Sequence, residues 1–188
     1  MRKFLEGCTM ALLAKQMIEV VISQKVRQAA RDRVEDYYTI NSRSSSIHQY
    51  GYDPKRMFVG FLGEEIIRDY YNVLEPDNDP DYDLLINGYR VDVKTMACKS
   101  KPKLDYMCSA NWYVYKTGPD YYLFIRVRND YTKAWIIGYM ECAEFYQKSI
   151  VQKRGEPYRF NKNIKSLVTS HANVLHIRDL YPVKQINV

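Results

Sequence analysis

No two of the four cysteines in this 188-residue chain stand close enough in sequence to make a zinc-ribbon or thioredoxin-like pair. Cys8, Cys98, Cys108 and Cys142 read as free thiols, and a chain this long builds a core without disulfides, so a reducing, intracellular, cytoplasmic setting is expected. Histidine is equally scarce. His48, His171 and His176 share no helical metal spacing, which disfavours an imidazole-held ion. The glycines compose no Walker loop, no Gly-x-Ser-x-Gly and no dinucleotide motif, so nucleotide hydrolysis, acyl transfer and nicotinamide chemistry lose support. Long apolar runs are missing too. The stretch from Met10 to Ile22 follows Arg2 and Lys3, but Lys15, Gln16 and Glu19 interrupt it, and no small-residue cleavage site comes after. A soluble protein without a membrane partner is the expectation.

What is present is a net charge of +6 and 18 tyrosines against 2 tryptophans. A basic, tyrosine-rich chain makes nucleic acid the first partner to test, although most tyrosines bury their ring in a core and keep the hydroxyl wet. From about Lys3 to Tyr38 there is no proline, and Met10, Leu13, Met17, Val20 and Val21 recur at three- and four-residue steps, which predicts a long N-terminal amphipathic helix. The serine-rich stretch Thr39 to Tyr52 has no periodicity and reads as a flexible connection. The expected organisation is therefore a helical extension over 1–38, a connection over 39–52 and one α/β domain over 53–188.

In that domain Asp53 and Pro54 suit the cap and first turn of a helix reaching about Tyr71. The acidic, proline-bearing run from Glu75 to Asp81 reads as a loop. Tyr82-Asp-Leu-Leu-Ile and Tyr89-Arg-Val-Asp-Val-Lys-Thr flank Asn87-Gly88, a strong hairpin signal. Lys99 to Lys116 reads as irregular, with a short helix near Ser109 to Tyr115. Strands are expected at Tyr121 to Val127 and Ala134 to Met140, and a helix from about Glu141 to Ser149.

The hairpin carries the chemistry. Side chains alternate along a strand, so Asp92 and Lys94 share a face, and mirror pairing about the turn sets Asp83 opposite Asp92. Opposed carboxylates repel unless a cation lies between them, and oxygen-only ligands suit a hard divalent ion such as Mg2+, for which Mn2+ substitutes. Lys94 beside such an ion can orient a water and stabilise charge developing on a phosphate.

Asp83, eight intervening residues and Asp92-Val93-Lys94, preceded by the helix segment Gly60-Phe-Leu-Gly-Glu-Glu, resemble the core signature of the PD-(D/E)XK nuclease superfamily. The resemblance spans roughly Asp53 to Ser149. It implies a restriction-endonuclease-like fold, a central mixed sheet flanked by helices. It also implies a Mg2+-dependent deoxyribonuclease, with an endonuclease as the expectation, that hydrolyses phosphodiester bonds with a Mg2+-activated water. Asp83, Asp92 and the Val93 carbonyl oxygen would bind the metal, Lys94 would position the water, and the helix acid would fall at Glu64 or Glu65. Helix arithmetic at ~100° per residue places both roughly 130° from the centre of the apolar face. Glu64, which follows the small Gly63, is preferred by analogy with the family. Asp81, directly after Pro80, is a rival to Asp83, and the family's first core strand is hard to find within 72–79. Lys99, Lys101 and Lys103 follow the site and are candidates for DNA contacts. A junction-resolving nuclease, which would need a homodimer, uses the same residues; a non-catalytic DNA-binding or assembly protein retaining the fold is the rival outside enzymes.

Overall fold

The computed structural model describes residues 17–41, 53–73, 81–111, 118–157 and 171–183. Among the described residues, the part of the helix expected from Lys3 to Tyr38 that forms runs from Gln24. Before it, Ile18–Val21 forms strand β1, antiparallel to the later strand β6 (Lys133–Glu141), with Ile18 opposite Ile136 and Val21 opposite Lys133. Three of its four residues are β-branched and fit a pleated surface better than a helix. Glu19 adds a cross-strand anchor, accepting hydrogen bonds from Lys133 Nζ at 2.6 Å and Trp135 Nε1 at 3.1 Å. Ser23 Oγ then accepts from the Val26 N–H at 3.2 Å and opens helix α1, Gln24–Asn41. Residues 17–41 thus belong to the body of the fold and are not a separate extension. Residues 1–16 and 42–52, which carry the rest of the expected extension and nearly all of the connection, lie outside the described residues.

Helix α2, Pro54–Tyr71, starts as its sequence dictates. Asp53 accepts from the Lys55 N–H at 2.9 Å and Pro54 occupies the first turn. It ends at Asn72, which takes the left-handed conformation at φ 54°. The hairpin follows, β2 (Leu84–Ile86) and β3 (Tyr89–Cys98), closed by Asn87 at φ 48° and Gly88 at φ 84°. Two successive positive φ values define the turn whose twist matches paired strands. Residues 107–111, placed by sequence in an irregular, partly helical stretch, instead form strand β4 (Met107–Asn111). Its alternation explains this: Cys108 and Ala110 are buried on one side while Ser109 turns to the other. The remainder of the helix expected near Ser109 to Tyr115 lies outside the described residues. Strand β5 (Tyr121–Arg128), β6, helix α3 (Cys142–Lys148), β7 (Ile150–Gln152) and β8 (Ala172–His176) complete the chain order.

The main sheet runs β1-β6-β5-β3-β2 and is mixed, since β3 and β5 are parallel and the other pairs antiparallel. A second, antiparallel sheet runs β4-β8-β7. The class is α/β. Period-two alternation assigns each face of the main sheet its cover. Val91 and Val93 of β3 and Leu123, Ile125 and Val127 of β5 pack with Leu62, Ile66 and Ile67 of α2, and Val26 and Ala30 of α1 join the same core. On the opposite face, Tyr122 and Phe124 meet Cys108 and Ala110 of β4, Leu175 of β8 and Phe145 of α3. Among the described residues no helix is long and apolar enough to cross a membrane.

Helix α2 touches the sheet most closely at Gly63. A Cβ there would fall 1.8 Å from Thr95 Oγ1 of β3, whereas a Cβ at Gly60, one turn earlier, would meet nothing within 4 Å. Gly63→Ala should therefore destabilise the fold by about 1–3 kcal/mol through overpacking, and Gly60→Ala should stabilise it by up to ~1 kcal/mol through helix propensity. Urea unfolding of the two variants checks the opposite signs.

Candidate functional site

The hairpin register sets the site. Leu84 pairs with Val91, Leu85 with Arg90 and Ile86 with Tyr89, which leaves Asp83 just before the first paired residue of β2. The ladder ends there. The Asp83 N–H still donates to the Val91 carbonyl at 3.0 Å, but Asp83 Oδ2 replaces the next backbone acceptor and takes the Val93 N–H at 2.7 Å. Asp83 is thereby held against the Asp92-Val93-Lys94 segment by both its backbone and its carboxylate. A residue exchanges its N–H and C=O bonds along the same edge of a strand, so the Val93 carbonyl leaves β3 on this edge too, past the start of β2.

Asp92 and Lys94 project from β3 toward the second sheet, in register with Tyr122 and Phe124 of β5. Lys94 Nζ lies 2.6 Å from Asp92 Oδ2 and 5.5 Å from the centroid of the Tyr122 ring, whose hydroxyl is 2.7 Å from that of Tyr146. The ammonium is thus fixed by a carboxylate and an aromatic face.

Glu64 reaches the same place from α2. Its helix position away from the apolar face suggests exposure, yet Glu64 is only 8% exposed. The reason is that α2 is covered twice, by the sheet on one side and by α1 on the other. Helix α1 supplies the counter-charge: Arg33 Nη1 lies 2.6 Å from Glu64 Oε2, though not aligned as a good hydrogen bond, and 3.2 Å from Glu65 Oε1. Arg33 also stacks over the Phe61 ring at 4.3 Å. Glu65 is bound instead toward Arg68, with Oε1 2.5 Å from Arg68 Nη1. Of the two helix acids it is Glu64 whose charge is felt at Asp83.

Electrostatics ties the three acids together. Burial pushes the Asp83 carboxyl up to about 8, and the neighbouring Glu64 and Asp92 charges push the same way against the Val93 N–H and Lys94. Glu64 is also raised, first by burial and further by Asp92, despite Arg33 and Arg68. Each of the three carboxylates therefore lies within electrostatic reach of the other two. Among the described residues, however, no three His, Cys, Asp or Glu side chains stand in a ready metal-holding arrangement. The cations Arg33 and Lys94 occupy two of the carboxylates instead.

Asp81 is felt at Arg90, a residue that Asp120 holds through Oδ1 at 2.9 Å. Lys99, Lys101 and Lys103 lie exposed on the segment joining β3 to β4. Sequence reasoning missed Arg33, whose helix was read as a solvated extension, and the Tyr122–Tyr146 pair behind Lys94. It also missed Arg126, although a single charge inside the apolar run of β5 is a readable signal.

Comparison with protein-family models, with curated proteins and with solved structures yields no match to this chain.

The shift at Asp83 has a definite consequence for stability. Its folded-state value of about 8 exceeds the ordinary carboxylate value of 3.8, so the folded protein holds a proton that the unfolded chain releases. Stability from this group is fully present below pH 4 and is lost as pH rises through about 8. Asp83→Asn should flatten that decline in metal-free buffer, a difference that denaturant unfolding between pH 5 and pH 8.5 would reveal.

Proposed function

We propose that the chain is a divalent-metal-dependent nuclease that hydrolyses DNA phosphodiester bonds, and that its fold is a variant of the restriction-endonuclease-like α/β architecture. The observation that carries the reading is that Glu64, Asp83 and Asp92 lie within electrostatic reach of one another, with Lys94 at 2.6 Å from Asp92, although among the described residues they do not stand in a ready metal-holding arrangement. Repulsion between buried acids is relieved by a cation, and the donors are carboxylate oxygens with a backbone carbonyl beside them, the set that Mg2+ or Mn2+ prefers. Asp83, Asp92, Glu64 and the Val93 carbonyl would hold the ion. The chemistry such an ion supplies is acidification of an attacking water and neutralisation of charge building on the phosphate.

The chain's own residues perform the rest. With its carboxyl pushed up by burial, Asp83 would have to release its proton to hold a cation, so affinity for the ion would rise with pH. Lys94 Nζ, tethered by Asp92 Oδ2 and the Tyr122 ring, directs its remaining hydrogens at the water and at a non-bridging phosphate oxygen. Arg33 must yield part of its hold on Glu64 for that acid to serve as a ligand. The exposed Lys99, Lys101 and Lys103 would steer the nucleic-acid backbone toward the site. A junction-resolving nuclease would use the same groups in a homodimer. The observation that favours a non-catalytic DNA-binding protein is the pairing of Glu64 and Asp92 with protein cations.

Lys94→Ala should lower Mg2+-dependent cleavage by roughly 10²-fold or more while leaving DNA binding nearly intact. Calorimetry with Mn2+ should show binding that Asp92→Asn removes. If the wild-type protein cuts no linear, supercoiled, single-stranded or branched DNA with either metal, the catalytic reading fails.

A further inference from the structure

Strand β5 is the middle strand of the main sheet and is covered on both faces. Inside it Arg126 is only 7% exposed. A buried guanidinium costs several kcal/mol of lost hydration unless an anion or several acceptors replace the water. Arg126 Nη2 donates to the Met107 carbonyl, and among the described residues no carboxylate forms an ion pair with it. Along its row of side chains, register leads through Trp135 to Glu19, which stands two strands away and is taken by Lys133 and Trp135. Its pairing beside Met96 of β3 and its bond to the Met107 carbonyl of β4 place the guanidinium between the end of β3 and strand β4.

Next to it lies a cavity of about 80 Å³ whose walls include Lys94, Met96, Cys108, Ser109, Phe124 and Arg126. A single water needs only ~10–15 Å³ of such space, so the cavity has room for a larger polar guest. Its lining residues include Arg126, Lys94, whose ammonium is already paired with Asp92, and Ser109, whose hydroxyl makes a weak 3.9 Å approach to Met96 Sδ; among the described residues no Asp or Glu lines it. Parallel pairing fixes the relation to the proposed site: Lys94 lies beside Phe124, and Met96 beside Arg126, on the same face of the sheet.

We propose that this cavity is an oxyanion subsite, with Arg126 as its buried anchor and Lys94 and Ser109 at its walls, that receives a phosphate group of the substrate. Nucleic acid as the source of that phosphate rests on the nuclease reading; the anion site itself does not. Arg126 presents the planar donor fork that matches phosphate oxygens, and Lys94 links the subsite to the carboxylate cluster two residues back along β3. The phosphate held here would therefore be one next to the reacting bond.

The test uses inorganic phosphate as the probe, titrated into the full chain in EDTA so that no divalent ion contributes, and is read by calorimetry and by 31P line broadening. Saturable binding is expected. Arg126→Met should weaken it about ten-fold or more, with Arg126→Lys keeping part of the affinity. Because Arg126 is buried, Ser109→Asp serves as a second variant that adds a repelling charge at the wall, and it should weaken binding similarly. Absence of saturable binding by the wild-type protein, or unchanged affinity in folded Arg126→Met or Ser109→Asp, overturns the subsite. Competition then identifies the source, using one oligonucleotide as a 5′-phosphorylated strand, a 5′-hydroxyl strand and a closed circle. Displacement by the phosphorylated strand alone means a terminal phosphate, and displacement by all three means an internal phosphodiester. Either upholds the proposal, and displacement by none removes nucleic acid as the ligand. A wild type that binds phosphate but cuts no DNA would retain the subsite while the nuclease reading falls. Cleavage with phosphate affinity unmoved by both variants would do the reverse.

Discussion

Backbone-to-strand contact at Gly63 governs where the charges of this protein meet. With Thr95 Oγ1 only 1.8 Å from where a Cβ would stand, α2 lies directly on β3, and the next residue, Glu64, is carried into the interior instead of out to solvent. Helix α1 closes the other side. A carboxylate in that position loses hydration it cannot recover from apolar neighbours, so the fold must supply a counter-charge, and it does so from α1 through Arg33. The close approach also has a cost of its own, since Thr95 Oγ1 is buried and finds no hydrogen-bond partner among the described residues.

Three acids and two nearby cations then share one small region. Arg33 answers Glu64, Lys94 answers Asp92, and Asp83 takes the Val93 N–H, while burial, with the Glu64 and Asp92 charges behind it, pushes the Asp83 carboxyl up. A divalent ion at the same place would change each of these relations together. It would ionise Asp83, compete with Arg33 for Glu64 and free Lys94 to point at an anion. On the proposed reading, any such ion would have to displace Arg33 and Lys94 from the carboxylates that they hold here.

Much of this was legible because it depends on local rules. Asn87-Gly88 fixes the turn and the turn fixes the register, which pairs Leu84 with Val91 and leaves the Asp83 carboxylate to take the Val93 N–H. Asp53 and Pro54 likewise define the start of α2 by themselves. The misreadings share a non-local cause. Ile18–Val21 carries a pattern compatible with a helix until β6 offers it an edge, and Met107–Asn111 is a strand because β8, more than sixty residues later, pairs with it. The burial of Glu64 is similarly invisible in a single helical wheel. It requires a second helix on the far side of α2, and the N-terminal segment that provides that helix looks detachable in sequence.

Strand β2 explains why reactive groups gather at this margin of the sheet and not at another. It is only three residues long and lies at the edge, so β3 outruns it and its backbone groups from Val93 onward lose their partner strand. Such groups must find side chains, water or a ligand, because a buried unpaired peptide group is costly. Asp83 answers the first of them, the Val93 N–H. Side chains that alternate outward from the same stretch of β3, Asp92 and Lys94, then face the second sheet, where Arg126 of β5 continues the cationic row past Phe124. A longer β2 would satisfy the ladder and remove the need for the Asp83 carboxylate at Val93. The shortness of one edge strand is therefore what leaves the Val93 N–H to the Asp83 carboxylate, next to Lys94, which also lines the cavity that Arg126 shares.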